Sequence, residues 1–180
     1  MFLSNFESSV DVKKRVSIPA LFRKSLGGQE SVYLWESLDK PCIEGCGQAL
    51  VDHFEASISD LDLMDRRRFA LATVILGDMV QARLDDGGRI VLDMGLMAKA
   101  GITDKVRIVG AGDRFQIWEP ARYEAMRAEL RQLAIESLGL LKSKPGRSRS
   151  NGHHKGNGAG DPPNEDPPQD EPPSPRRGFE

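Results

Sequence analysis

The stretch Asp11-Val-Lys-Lys-Arg15-Val-Ser-Ile18 returns 74 positions later as Asp85-Asp-Gly-Gly-Arg89-Ile-Val-Leu92. Each version joins a polar turn to an apolar strand that contains β-branched residues. Outside the stretch, Gly27 aligns with Gly101 at the same offset. The shared spacing favours an internal duplication, in which each copy reads as strand, turn, strand, short helix, turn, strand.

Helices are predicted between and after the two copies. Helical periodicity covers Leu50 to Leu61 and Asp65 to Leu76, with Asp65 as the N-cap of the second segment. A further helix is predicted to begin at Pro120 and to run to about Ser137, because proline suits the first helical turn. Its apolar stripe packs on the chain's own barrel or docks on a neighbouring subunit, and we expect the first.

The chain has a different composition from Lys142 onward. Eight of its eleven prolines lie between Pro145 and Pro175, among acidic and amide side chains. Such a segment cannot bury enough apolar area to offset the entropy of ordering it, so residues 142–180 are predicted to be a disordered tail. The tail either keeps the protein soluble or, through its basic start, contacts nucleic acid.

Net charge gives no support to nucleic-acid binding, but local charge does. Residues 1–141 contain 18 Lys and Arg against 21 Asp and Glu, a net charge of −3. From Asp11 to Lys24, however, there are five basic residues and one acidic residue. Binding would need such patches to be concentrated on one face, for instance by oligomerisation.

No metal, cofactor or membrane segment is indicated by the sequence. Cys42 and Cys46 have no second pair of ligands, and His53 stands alone nearby, so we expect ordinary loop cysteines and no metal site. Neither a signal peptide nor an apolar run of membrane-spanning length is found, which favours a cytosolic protein with reduced thiols.

The two turns have a chemistry of their own. The leading aspartate can accept hydrogen bonds from turn N–H groups and can hold the closing arginine in a fixed orientation. An oriented arginine suits phosphate oxygens or the edge of guanine, and Lys13 and Lys14 add charges suited to phosphates. The alternative is an exposed hairpin whose Asp–Arg pair contributes less than about 1 kcal/mol.

These motifs resemble the MraZ family of bacterial regulators. The stretch from Phe6 to Arg23 resembles the first half of the family pattern. Leu84 to Leu92, together with Val109 to Pro120, resembles the second half. The resemblance covers about residues 1–140 and leaves out the tail.

The resemblance implies a mainly β fold with helices (α+β), formed as an intramolecular pseudo-dimer of two swapped-hairpin, AbrB-like β-barrel halves. It also implies a ring homo-oligomer that binds direct repeats in double-stranded promoter DNA. Through this binding the family regulates transcription of the division and cell-wall gene cluster. On this basis we expect no enzyme activity, no cofactor, no small-molecule substrate and no membrane partner, and a cytoplasmic, nucleoid-associated location.

The expected organisation has five parts: a first SpoVT-AbrB-like repeat, a helical connector, a second repeat, the end of the C-terminal helix, and the tail. Their boundaries are 5–52, 53–81, 82–125, 126–141 and 142–180. The residues expected to contact DNA are Lys13, Lys14, Arg15 and Arg89. The residues expected to shape the turns are Asp11, Asp85 and Gly88.

The chain departs from the family pattern at two positions. Family turns usually have glycine before the arginine, as at Gly88, whereas the first copy has Lys14. If that position needs a positive φ, Lys14 is strained by roughly 1 kcal/mol; otherwise the turn differs and Lys14 gains a contact. The second copy has Asp93 where the first has Pro19, and Asp86 adds a further acid. We therefore expect the first copy to contribute more to DNA binding.

Two other classes of protein are alternatives to a DNA-binding regulator. An enzyme would need convergent catalytic groups, yet His53 has no recognisable partner motif and Gly110-Ala-Gly112 precedes a strand rather than a helix. A protein-interaction or antitoxin-like module built on the same fold is the second alternative, and it would not need the turns to contact DNA.

Overall fold

The computed structural model describes residues 1–141. In this part of the chain the strands are Asn5–Ser9 (β1), Arg15–Ser17 (β2), Ser31–Glu36 (β3), Ile43–Cys46 (β4), Val80–Arg83 (β5), Arg89–Val91 (β6), Lys105–Gly110 (β7) and Phe115–Trp118 (β8). The α-helices are Ala20–Ser25 (α1), Gln48–Ser59 (α2), Arg66–Leu71 (α3), Met94–Ala100 (α4) and Pro120–Ser137 (α5). A π-helical turn, Ala72–Leu76, continues α3, and a 3-10 turn, Leu138–Leu140, follows α5.

The strands form two separate antiparallel sheets. Six of them lie in the order β1-β7-β8-β4-β3-β5, and β2 pairs with β6 in a two-stranded ribbon. The predicted α+β class is confirmed. The predicted barrel halves are not found, since residues 1–141 form no closed barrel. The strands β2 and β6 are three residues long and pair only with each other, so they do not close the larger sheet.

The pairing follows the 74-residue offset of the repeat. Strand β1 lies beside β7 with Ser9 opposite Lys105, and β5 lies beside β3 with Arg83 opposite Ser31. At the 74-residue offset, β1 corresponds to β5 and β3 corresponds to β7. The two strand pairs are therefore equivalent, with the roles of the copies exchanged. Hydrogen bonds of 2.8 Å extend both ladders, from Val10 N to Asp104 O and from Leu84 N to Glu30 O. Each copy therefore pairs its first strand with a strand of the other copy.

The main core lies between the ribbon and the six-stranded sheet. Val16 and Ile90 face each other across the ribbon and are fully buried. The rings of Phe2, Phe22 and Phe115 pack together with centroids 5.2 to 5.8 Å apart. Because both copies contribute to this one core, neither buries its apolar side chains alone.

The helix signals in the sequence are largely confirmed. Asp65 caps α3 by accepting a hydrogen bond from Arg67 N at 2.8 Å, and Pro120 begins α5. The stripe of α5 divides into two parts. Tyr123 and Met126 are half-buried, whereas Leu130 and Leu133 are 45% and 58% exposed. The expectation that the whole stripe packs on the chain's own barrel is therefore wrong for its second half, which is exposed.

The cysteines differ from the prediction. Cys46 ends β4 and Cys42 lies just before it, and both side chains are buried rather than in an open loop. Burial raises the pKa of each thiol to about 12. In residues 1–141, no three His, Cys, Asp or Glu side chains converge as metal ligands would. None of the helices described in this range is long and apolar enough to cross a bilayer. The predicted tail lies outside the described residues.

Candidate nucleic-acid interface

The first turn, residues 11–15, is organised by one carboxylate. Asp11 Oδ1 accepts hydrogen bonds from Lys13 N at 2.8 Å and Arg15 N at 2.9 Å. Its Oδ2 accepts from Arg15 Nε at 2.8 Å, and a second guanidinium nitrogen lies 2.7 Å away. The main chain closes the turn through bonds from Asp11 N to Arg15 O and from Lys14 N to Asp11 O. The guanidinium of Arg15 is thus held in one orientation.

The second turn, residues 85–89, repeats this geometry. Asp85 Oδ1 accepts from Gly87 N at 3.0 Å and Arg89 N at 2.9 Å, and Oδ2 accepts from Arg89 Nε at 2.9 Å. The main-chain bonds from Asp85 N to Arg89 O and from Gly88 N to Asp85 O are both 2.8 Å long. The two turns therefore share one set of hydrogen bonds despite their different sequences.

Lys14 has the backbone conformation of the glycine that it replaces. Its φ is +62°, against +73° at Gly88. Of the two alternatives drawn from the sequence, the structure shows the strained one, in which the turn keeps its shape. A left-handed conformation costs a non-glycine residue roughly 1–2 kcal/mol. The first copy thus carries a strained lysine at the tip of an otherwise regular turn.

The two turns touch each other across the ribbon. Ile18 N donates to Gly88 O at 2.9 Å, and Leu92 N donates to Lys14 O at 2.8 Å. These two bonds are again related by the 74-residue offset. In addition, one terminal nitrogen of Arg15 lies 3.8 Å from Asp85 Oδ2. The ribbon therefore holds both basic turns in a single surface region.

The charges of this region are fixed by the same contacts. Hydrogen bonds from the backbone and the side chain of Arg15 lower the pKa of Asp11 below its ordinary value. Arg89 lowers the pKa of Asp85 in the same way, with its backbone N–H as the larger cause. Lys13 and Arg89 are exposed, and Lys14 and Arg15 are half-buried. The two carboxylates that orient the arginines therefore remain ionised at neutral pH.

Asp93 has a structural role that the alignment of the two copies does not indicate. It is the N-cap of α4 and accepts a hydrogen bond from Leu96 N at 3.0 Å. Its charge is partly satisfied by the positive end of that helix. The acid is therefore less available to oppose phosphate than its place beside the second turn suggests.

Arg23 is a basic residue near the second turn that sequence reasoning missed. A Cβ built on Gly88 would lie 2.6 to 2.7 Å from Arg23 Cδ, Nε and Cζ, so this side chain covers the glycine. Gly88 is accordingly buried, whereas Arg23 is exposed. The sequence contains one signal for it: at the 74-residue offset Arg23 aligns with Met97, so this position is charged in the first copy and uncharged in the second.

His53, the residue considered for an enzyme, lies at a cavity. The cavity has a volume of about 450 Å³ and is also lined by Phe2, Leu26 and Leu50, among other residues. Asp113 lines the same cavity, but within residues 1–141 no hydrogen bond links it to His53.

Comparison with known proteins identifies the family. The model of the family described as "MraZ protein, putative antitoxin-like" matches residues 75–137. A relative from Phenylobacterium zucineum is 41% identical over 160 residues, covering 88% of this chain and 99% of the relative. One from Caulobacter vibrioides is 40% identical, covering 80% and 93%. One from Hyphomonas neptunium is 34% identical, covering 83% and 92%.

Each of these relatives carries the name transcriptional regulator MraZ, which is the name of a class of regulators and not of an enzyme. The chain belongs to the MraZ family, because the similarity spans most of its length and nearly all of each relative. The resemblance drawn from the turn motifs is confirmed.

Proposed function

We propose that this protein is a sequence-specific, DNA-binding transcriptional regulator that acts in the cytoplasm at the nucleoid. It binds direct repeats in the promoter of the division and cell-wall gene cluster. The observation that carries the proposal is the pair of matched turns, joined by the β2–β6 ribbon, each with an arginine oriented by its own aspartate. The names of the relatives support a role in transcription regulation.

The chemistry of the turns suits DNA. An arginine whose Nε is already held by a carboxylate loses little further freedom when its remaining N–H groups bind a phosphate or a guanine. Lys13, Lys14, Arg15 and Arg89 are assigned to these contacts, and Asp11, Asp85 and Gly88 to the shape of the turns. Contacts to phosphate give affinity, and contacts to base edges give specificity.

The fold we propose behind this surface is an intramolecular pseudo-dimer of swapped hairpins. Residues 5–52 and 82–125 would be its two repeats, with 53–81 as the helical connector. The exchanged pairing of β1 with β7 and of β5 with β3 supports this organisation. So do the reciprocal bonds of the ribbon at Gly88 and Lys14.

A ring homo-oligomer would solve the charge problem of the single chain. Residues 1–141 are slightly acidic, so a single chain attracts DNA only through its turns. Several copies that engage spaced repeats gain affinity through effective concentration. The exposed apolar side chains Leu130 and Leu133 on α5 give such an assembly a surface to bury. Binding should therefore depend steeply on salt and should be weak on a single half-site.

The test is a gel shift on the promoter region upstream of the protein's own gene. Arg15→Ala and Arg15→Ala/Arg89→Ala should lose the shift while sedimentation shows an unchanged assembly. Arg66→Ala, at an exposed arginine in the first turn of α3, is the matched control and should bind normally. Unaltered binding by the double variant would exclude the turns as the DNA-contacting surface. A wild type that shifts no DNA would favour the protein-interaction alternative.

A further inference from the structure

The two turns differ in where a side chain leaves their tips. At the first turn, Lys14 carries its own side chain out of the left-handed position. At the second turn, the equivalent Gly88 carries none, and the space that its Cβ would take is filled by Arg23 from α1. A cationic side chain thus belongs to the tip of each turn, although it comes from different elements.

The exchange is matched at the positions that face the turns. The 74-residue offset that relates Lys14 to Gly88 also relates Arg23 to Met97. Arg23 is exposed on α1, while Met97 is 5% exposed on α4. A side chain at the turn tip and an arginine on the facing helix would compete for the same space, as the 2.6 Å approach to Gly88 shows. The pair Lys14 and Met97 and the pair Gly88 and Arg23 are therefore two combinations that each place one cation at the tip of a turn.

Arg23 is available to a ligand. Several arginines form ion pairs within residues 1–141, but Arg23 is not one of them. By contrast, Lys99 on the matching helix α4 is held 2.6 Å from the carboxylate of Glu36. An exposed guanidinium that forms no ion pair in the described part of the chain, and that lies beside an oriented arginine, is suited to a phosphate oxygen.

We propose that Arg23 supplies the second turn with the phosphate-binding cation that Lys14 supplies to the first. The proposal rests on the DNA-binding function proposed above and adds a residue to it. The second turn then presents Arg89 with Arg23, and the first presents Arg15 with Lys14. The difference between the two turns is consequently smaller than their sequences suggest.

A phosphate contact has a measurable signature. Its loss lowers affinity for any duplex, and it reduces the slope of log K against log salt by about 0.9 for each contact removed. At about 0.15 M salt, this corresponds to roughly a fivefold weaker affinity for each contact. A residue that reads a base edge would instead weaken binding to the specific sequence alone.

The experiment titrates the full chain with two duplexes of equal length, the upstream promoter fragment and a scrambled sequence, at several salt concentrations. Arg23→Ala should weaken both complexes and lower both salt slopes. Lys99→Ala should change neither. The exchange variant Gly88→Lys/Arg23→Met should keep the wild-type slope, because it copies the first turn. Thermal unfolding establishes that each variant is folded.

Three results would overturn the proposal, and they are distinguishable. If Arg15→Ala/Arg89→Ala abolishes binding but Arg23→Ala keeps the wild-type slope, Arg23 has no part in the interface and the proposed function stands. If the wild type binds neither duplex, the proposed function fails and the role of Arg23 fails with it. A loss restricted to the promoter fragment would assign Arg23 to base reading and would likewise overturn the phosphate role.

Discussion

Arg15 and Asp85 belong to different copies of the repeat, yet a guanidinium nitrogen of Arg15 lies 3.8 Å from Asp85 Oδ2. The same arginine is held at 2.7 Å by Asp11. Asp85 in turn holds Arg89 at 2.9 Å. Three contacts thus join the two turns into one chain of alternating charges, so a change in either aspartate affects both turns.

This arrangement predicts an acid-dependent loss of stability. The pKa values of Asp11 and Asp85 are lowered in the folded state. Their contribution to folding stability is therefore fully present above about pH 3.8, the ordinary pKa, and it is lost as the pH falls through the lower pKa values of the folded state. Asp11→Asn/Asp85→Asn should flatten the fall in melting temperature below pH 4 or so. Asp104→Asn, at an exposed carboxylate outside the turns, should leave the wild-type profile unchanged. Identical profiles for all three proteins would contradict the assignment.

The left-handed tips of the two turns predict unequal losses of stability on substitution by alanine. Gly88→Ala places a Cβ at φ +73° and against Arg23, and should lower the free energy of unfolding by about 1–2 kcal/mol. Lys14→Ala keeps a Cβ at φ +62°, so it should change stability by less than about 0.5 kcal/mol. Chemical denaturation measures both values. Equal losses in the two variants would show that the backbone strain is not what distinguishes the tips.

The strand β4 requires a glycine for packing. A Cβ on Gly45 would lie 2.4 Å from Phe115 Cζ and 2.9 Å from Leu34 Cδ2, and both residues are fully buried. Gly45→Ala should therefore destabilise the protein by about 1–3 kcal/mol through overpacking. Gly139→Ala meets nothing within 4 Å and serves as the control. Thermal unfolding that ranks the two variants equally would argue against this close contact.

The cysteines should be chemically inert in the folded protein. Their pKa values of about 12 leave almost no thiolate at pH 8 or so, and both side chains are buried. Labelling with a thiol reagent should be slow in buffer and should reach two thiols per chain in denaturant. Cys42→Ser and Cys46→Ser, labelled separately, assign the rates. Rapid labelling of either cysteine in the native state would show that β4 opens locally.

Much of the fold was predictable because its signals are local. The duplicated turn, the capping role of Asp65 and the start of α5 at Pro120 depend on residues close in sequence, and all three were found. The burial of Cys42 and Cys46 was missed, since a Cys-Ile-Glu-Gly-Cys segment lacks the alternation of a half-buried strand. The alternation of polar and apolar residues gives little information about burial when both faces of a strand are covered.

The candidate interface was predicted to a lesser extent. Asp–Arg spacing indicated the oriented arginines because both partners lie within one turn. Arg23 was missed because its position over Gly88 depends on packing between copies, which no local pattern encodes. The sequence does not decide the backbone conformation of Lys14, for a related reason. Its conformation depends on whether the hydrogen bonds of the turn outweigh a cost of about 1–2 kcal/mol.

The exchanged strand pairing has a consequence for synthesis. β1, at Asn5–Ser9, finds its partner only at Lys105–Gly110. At a translation rate of about 5–20 residues per second, the ribosome needs roughly 5–20 seconds to make the residues that separate them. For that interval the first strand emerges without its ladder, and β3 likewise waits for Val80–Arg83. The nascent chain must therefore delay its folding until both copies have left the exit tunnel, and a stalled chain would present open strand edges to quality control.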